Sequence, residues 1–69
     1  MPLTMAKEGE TVTIMRVGGK GEIRRHLEAM GFVPGARVSL VTVNNGNVIV
    51  SVKESRVAVS REMANKIMI

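Results

Sequence analysis

The order of apolar and polar residues predicts a bent strand at the start of the chain. Over residues 10–17, apolar side chains first alternate with threonines and then change phase at Met15. Such a shift is typical of a strand that bends at a bulge or a barrel corner. The glycine-rich segment that follows, GGKGE, predicts a flexible connection.

From Glu22 onward the apolar period becomes helical. Ile23, Leu27 and Met30 recur at i, i+4 and i+7, which predicts a short amphipathic helix. Gly31 stands where a left-handed residue ends a helix. The next residue, Phe32, would then contact Leu27 and seal the helix end.

A reversal and a hairpin are predicted after the helix. Pro34-Gly35 supplies the two central residues of a type II turn. Residues 36–43 and 47–52 are rich in β-branched side chains, and Asn45-Gly46 between them is a strong hairpin signal. We therefore expect two antiparallel strands here.

The remaining residues predict a second reversal, a strand, a short helix and a closing strand. KESR is the reversal and residues 56–60 form the strand. Ser60 is a good N-cap for a helix of one or two turns within residues 61–67. Residues 67–69 can then run as a final strand beside the first one.

These elements together describe a mainly β fold. We predict a small SH3-like barrel of about five strands, with one short helix inserted after the first strand and another near the C-terminus. Some strands are apolar on both faces, so either an apolar patch stays open for a partner or second copy, or the inserted helix covers it. The residues concerned are Val41, Val43, Val48 and Val50.

Length and composition limit the possible classes of protein. A chain of 69 residues forms one domain, over residues 1–69, with a thin core, so self-association could add stability. Without cysteine it has no disulfide, thiolate metal site or thiol nucleophile. No apolar run is long enough for a membrane span or a signal peptide, so we expect a soluble, unprocessed protein.

The net charge raises the question of an anionic partner. Ten Lys and Arg against six acidic residues give +4, but the basic residues are scattered along the chain. Phe32 is the only aromatic residue, and most single-strand nucleic-acid binders stack bases on several rings. We therefore expect no nucleic-acid partner, although charge alone leaves a basic RNA-binding barrel open.

Catalytic and metal-binding chemistry have little support. His26 is the only histidine and there is no aspartate, so a nucleophile held by a base and a third group is not expected. Glu22 and His26, one helical turn apart, are the only candidate metal ligands, and an ordinary polar pair explains them better. The six methionines, which form no tight cluster, are expected to fill the core.

The helix also has a charged outer face with a basic bias. Arg24, Arg25 and Glu28 lie away from the apolar stripe. Such a face is usually solvated, but it can also contact an acidic partner surface.

Two stretches of the chain resemble the FeoA family. The pattern L-x-x-M-G-F-x-P-G-x-x-V is met by Leu27, Met30, Gly31, Phe32, Pro34, Gly35 and Val38, and RVAVSREMA follows at residues 56–64. The resemblance covers essentially the whole chain. One departure is Glu8, which stands where such proteins often have a proline at the entry turn.

The resemblance implies an SH3-like barrel without catalytic activity or cofactor, located in the cytoplasm. It also implies a role in ferrous iron uptake through contact with the cytoplasmic part of the transporter FeoB. Arg24, Arg25, Leu27 and Glu28 are the residues we expect to face this partner. Leu27 has a second interpretation: if it is buried, its loss would act through unfolding and not through recognition. The Met30 to Gly35 motif is expected to be architectural.

One alternative comes from a second resemblance. The predicted barrel is also similar to the C-terminal domain of DtxR-type iron-dependent repressors, which would make the chain a metal-regulator module without its DNA-binding half.

Overall fold

The computed structural model describes all residues from 1 to 69. The strands are β1 Thr11–Thr13, β2 Arg16–Val17, β3 Arg37–Asn44, β4 Asn47–Val52, β5 Ser55–Ser60 and β6 Ile67–Met68. The helices are α1 Gly21–Ala29 and α2 Arg61–Ala64, and a 3₁₀ turn spans Leu3–Met5. One antiparallel sheet has the order β1-β3-β4-β5, and β2 pairs with β6 in a second, two-stranded sheet. The mainly β barrel with two short helices is therefore confirmed.

The predicted first strand is divided between the two sheets. Ile14 donates its amide hydrogen to Ala36 beside β3, whereas Met15 donates to Met68 at the end of β6. The chain thus changes partners between adjacent residues. The phase shift at Met15 marks this corner, so the predicted bend is confirmed, but the single strand over residues 10–17 becomes β1 and β2.

The β3–β4 hairpin follows the prediction closely. Asn44 pairs with Asn47, which leaves Asn45-Gly46 as a two-residue loop. Gly46 has a positive φ of 81°, while Asn45 does not. The register shifts between Leu40 and Thr42, so β3 bulges in its middle. A bulge increases the local twist and helps a short sheet curl into a barrel.

The β4–β5 hairpin has two non-glycine residues with positive φ in its loop. Val52 pairs with Ser55, and Lys53 and Glu54 form the loop with φ of 49° and 68°. Two left-handed central residues define the type I′ turn, which normally selects Asn and Gly. The predicted reversal is present, without the usual residues.

The end of the chain closes the barrel. The Ser60 hydroxyl accepts a hydrogen bond from the Met63 amide at 3.2 Å, so Ser60 is the N-cap as predicted. α2 stops after one turn, and β6 pairs with β2 antiparallel. Helix α2 therefore ends at Ala64, at the short end of the one or two turns predicted within residues 61–67.

The N-terminal residues extend this second sheet, which the sequence did not reveal. Pro2 forms a bridge with Met68, and Met1 and Ile69 exchange hydrogen bonds of 2.7 and 3.3 Å. Leu3 has no exposed surface and belongs to the core.

The core is wholly apolar. Its 13 members are Leu3, Ile14, Val17, Leu27, Phe32, Val38, Leu40, Val48, Val50, Val52, Val59, Ala64 and Ile67. Val48 and Val50 lie inside, and Val43 packs against the core from its edge. Val41 is half-buried and is not among the residues packed on the core, and Ile49 on the neighbouring strand is placed likewise, which gives the outer sheet face some apolar character. No helix in the structure has the length and hydrophobicity to cross a bilayer.

Candidate partner-binding surface

Helix α1 presents most of its surface to solvent. Its N-terminal turn contains Glu22, whose charge suits the positive end of the helix dipole. Leu27 is the only buried residue among its nine, and Ile23 keeps 38% of its surface exposed. The helix is therefore attached to the barrel mainly through one side chain and its C-terminal cap.

The C-terminal cap fixes where the helix points. The Phe32 amide donates to the Leu27 carbonyl, and the Gly31 amide donates to the Glu28 carbonyl, each at 3.0 Å. Gly31 has a φ of 101°. This pair of bonds is the Schellman motif, and it confirms the predicted left-handed stop. Phe32 is fully buried, so the cap also anchors the chain in the core.

The turn after the cap is equally defined. The Ala36 amide donates to the Val33 carbonyl at 3.0 Å across Pro34-Gly35. Gly35 has a φ of 88°, as the third residue of a type II turn requires. The helix end and the turn together carry the chain from α1 into β3.

The residues expected to face a partner do not all lie on the surface. Arg24, Arg25 and Glu28 are exposed on α1. Leu27 has no exposed surface, so its predicted contact with a partner is wrong. The physical reason is that Leu27 is the apolar anchor that holds α1 against the core.

The candidate metal ligands form no recognisable site. Glu22 and His26 are both exposed on α1. No group of three or more His, Cys, Asp or Glu side chains is placed to share an ion.

The methionines are where the prediction from sequence fails most clearly. Met1, Met5 and Met15 are 62%, 65% and 71% exposed, so these three do not fill the core. Met1 pairs with Ile69, and Met15 is hydrogen-bonded to Met68. Most of the exposed large apolar surface thus lies where the chain ends meet β2.

The molecule offers surfaces for contact and no cavity. No pocket is present anywhere in the structure. The exposed features are the charged face of α1, the methionines near the chain ends and the partly apolar outer face of the large sheet.

Comparison with known proteins shows which family has this sequence and fold. The FeoA domain profile matches residues 1–69. A Methanocaldococcus jannaschii protein that carries the name putative Fe(2+) transport protein A is 41% identical to this chain over 69 residues. The alignment covers 99% of this chain and 83% of the relative.

Solved structures agree with this assignment. A crystal structure described as iron uptake regulatory protein FeoA superposes with a TM-score of 0.89 at 25% identity, covering 97% of this chain and 91% of the other. A manganese-dependent transcriptional repressor superposes with a TM-score of 0.88, covering 97% of this chain and 39% of its own. At 18% identity, that likeness shows only a shared SH3-like fold. The chain belongs to the FeoA family.

Proposed function

We propose that this protein is a non-enzymatic, cytoplasmic accessory protein of ferrous iron uptake, which acts by contacting the cytoplasmic region of FeoB. The observation that carries the proposal is the FeoA match over residues 1–69, together with a relative whose name refers to Fe(2+) transport. The proposal gives the protein no cofactor and no metal of its own.

The exposed face of α1 is the surface we assign to this contact. Arg24, Arg25 and Glu28 are exposed on a helix that uses only Leu27 for attachment to the core. The side-chain hydrogen bonds of the structure involve other residues, so these charged groups are available to a partner. Charges on such a face set the orientation and rate of association more than its affinity.

A pull-down with the cytoplasmic region of FeoB tests the proposal. We expect the purified protein to bind, and the double change Arg24→Glu/Arg25→Glu to weaken binding by about tenfold or more through charge repulsion. The matched control is Arg16→Glu/Arg37→Glu, which reverses the same number of exposed charges on β2 and β3. The control should bind like the wild type.

Two results would contradict the proposal. One is the absence of FeoB binding by the wild type, and the other is equal loss in both double variants, which would indicate a general charge effect. Binding to RNA with a steep loss of affinity in salt would favour the nucleic-acid alternative.

A further inference from the structure

The two edges of the large sheet differ in how well they are protected. Edge strands of native proteins are usually short, bulged, or interrupted by proline or charge. β1 has three residues and bends away into β2. β5 has six residues, no proline, one charged side chain near its start (Arg56), and six consecutive pairs with β4 without a register shift. β5 is therefore a long, regular and open edge.

The backbone groups on this edge can be assigned from the hydrogen bonds. Arg61 donates its amide hydrogen to Gly46, which continues the β4–β5 ladder beyond its last pair. Residues of an antiparallel strand alternate in the direction of their N–H and C=O groups. Since Arg61 faces β4, the amides of Arg56, Ala58 and Ser60 face away from it. No other backbone group in the turns and loops bonds to these amides.

We propose that β5 pairs antiparallel with β5 of a second copy, about a two-fold axis at Ala58. In this register Ala58 of each copy exchanges two hydrogen bonds with Ala58 of the other. Each Ser60 amide then donates to the Arg56 carbonyl of the second copy. The two four-stranded sheets become one continuous sheet.

Of the three axes that pass through an outward-facing residue, only the one at Ala58 uses the whole edge. An axis at Arg56 would place the two guanidinium groups directly opposite each other, which is unfavourable. It would also bring the Lys53-Glu54 loop into the ladder. An axis at Ser60 would require pairing by residues of α2. The register at Ala58 puts the smallest side chain of the edge at the axis.

Charge and apolar surface both fit this register. Arg56 lies opposite Ser60 of the second copy, and the two Arg56 are about 13 Å apart at about 3.3 Å per residue, beyond the Debye length of about 8 Å. Half-buried Val57 comes to lie opposite buried Val59 of the second copy. On the outer face, Ile49 pairs with Ala58, so the apolar strip of both copies becomes continuous.

Sedimentation over a range of concentrations tests the pairing, with Ala58→Pro as the main variant. Because the Ala58 amide faces away from β4, proline there removes no hydrogen bond of the monomer. We expect a concentration-dependent dimer for the wild type and dimerisation weakened by about tenfold or more in Ala58→Pro. Ala58→Ser keeps the amide and should dimerise like the wild type.

Two further measurements distinguish loss of the dimer from unfolding of the monomer. Ala58→Asp places two carboxylates at the axis on an exposed position and should also give monomers. In the wild type, the amides of Arg56, Ala58 and Ser60 should exchange with solvent more slowly as concentration rises. A wild type that is monomeric at about millimolar concentration, or a folded Ala58→Pro that dimerises normally, would overturn the proposal. This inference does not depend on FeoB.

Discussion

At the scale of single residues, Gly31 is the most constrained position in the fold. It has a φ of 101°, and a Cβ atom built there would lie 2.8 Å from Cγ1 of buried Val52. Gly35 has a φ of 88° and nothing within 4 Å of such an atom. The two glycines share a backbone requirement, but only Gly31 is also needed for space.

This difference predicts unequal effects of alanine. Gly35→Ala should lower the free energy of unfolding by about 1–2 kcal/mol, the cost of a left-handed non-glycine residue. Gly31→Ala should cost about 1–3 kcal/mol more, because it also overpacks the core against Val52. Urea unfolding followed by circular dichroism measures both values. Equal losses would mean that Val52 moves aside freely.

Residue roles with a backbone signature could be read from the sequence, and those set by tertiary position could not. Gly31 and Gly35 were predicted because helix ends and type II turns need positive φ. The exposure of Met1, Met5 and Met15 was predicted wrongly, since methionine has no periodicity that separates a core position from a surface one. The helical period predicts the helix that carries Leu27, whereas the burial of this side chain excludes the predicted partner contact.

At the scale of elements, the two hairpins differ in which residues have positive φ in their two-residue loops. The β3–β4 loop has its glycine at the position with positive φ, whereas the β4–β5 loop holds Lys53 and Glu54 in the left-handed region. Each such residue costs roughly 1–2 kcal/mol relative to a right-handed conformation. The β4–β5 ladder forms its six regular pairs in spite of this cost.

Replacing that loop with favourable residues should stabilise the protein. For Lys53→Asn/Glu54→Gly we expect the free energy of unfolding to rise by about 1 kcal/mol, since Asn and Gly adopt the type I′ geometry with less strain. Asn45→Lys is a suitable control, because residue 45 does not have positive φ and should change stability by less than about 0.5 kcal/mol. Thermal unfolding of the three proteins gives the comparison, and a destabilised loop variant would refute this account of strain.

The sequence predicted element types well and their pairing less well. The β3–β4 hairpin, the α1 cap and the Ser60 N-cap follow from local chemistry that acts within a few residues. The division of the first strand into β1 and β2 depends on which distant strand lies nearby, so only the bend was visible. The open edge of β5 likewise depends on sheet order, which local patterns do not encode.

At the scale of the whole molecule, the barrel is held closed by residues far apart in the sequence. The N-terminal residues lie beside β6, and Leu3 is fully buried there. Thr4 adds a hydrogen bond of 2.6 Å to Asn65. In a chain this short, a single large buried side chain is a substantial part of the stability.

Leu3→Ala should therefore unfold the protein at much lower denaturant concentration. Truncation of a buried leucine costs about 2–5 kcal/mol. Met5→Ala, two residues later and 65% exposed, should change the free energy of unfolding by no more than about 0.5 kcal/mol. Chemical denaturation separates the two. If both variants matched the wild type, the N-terminal segment would contribute nothing to the closed barrel.

The family could be recognised from the sequence because its motif has local structural roles, whereas the surface proposed for the FeoB contact has no comparable sequence signature. The glycine, proline and apolar motif specifies how α1 meets the barrel, and those residues are architectural in the structure as well. A protein–protein contact needs no special residue type, so exposed charges such as Arg24 and Arg25 differ little from others.

Because Met1 and Ile69 are hydrogen-bonded to each other, the chain enters and leaves the barrel at one point. A short peptide joining these ends would make a circular protein, whose unfolded form has fewer conformations to lose on folding. Equally, the unit could be grafted into a surface loop of an unrelated host while leaving both folds intact.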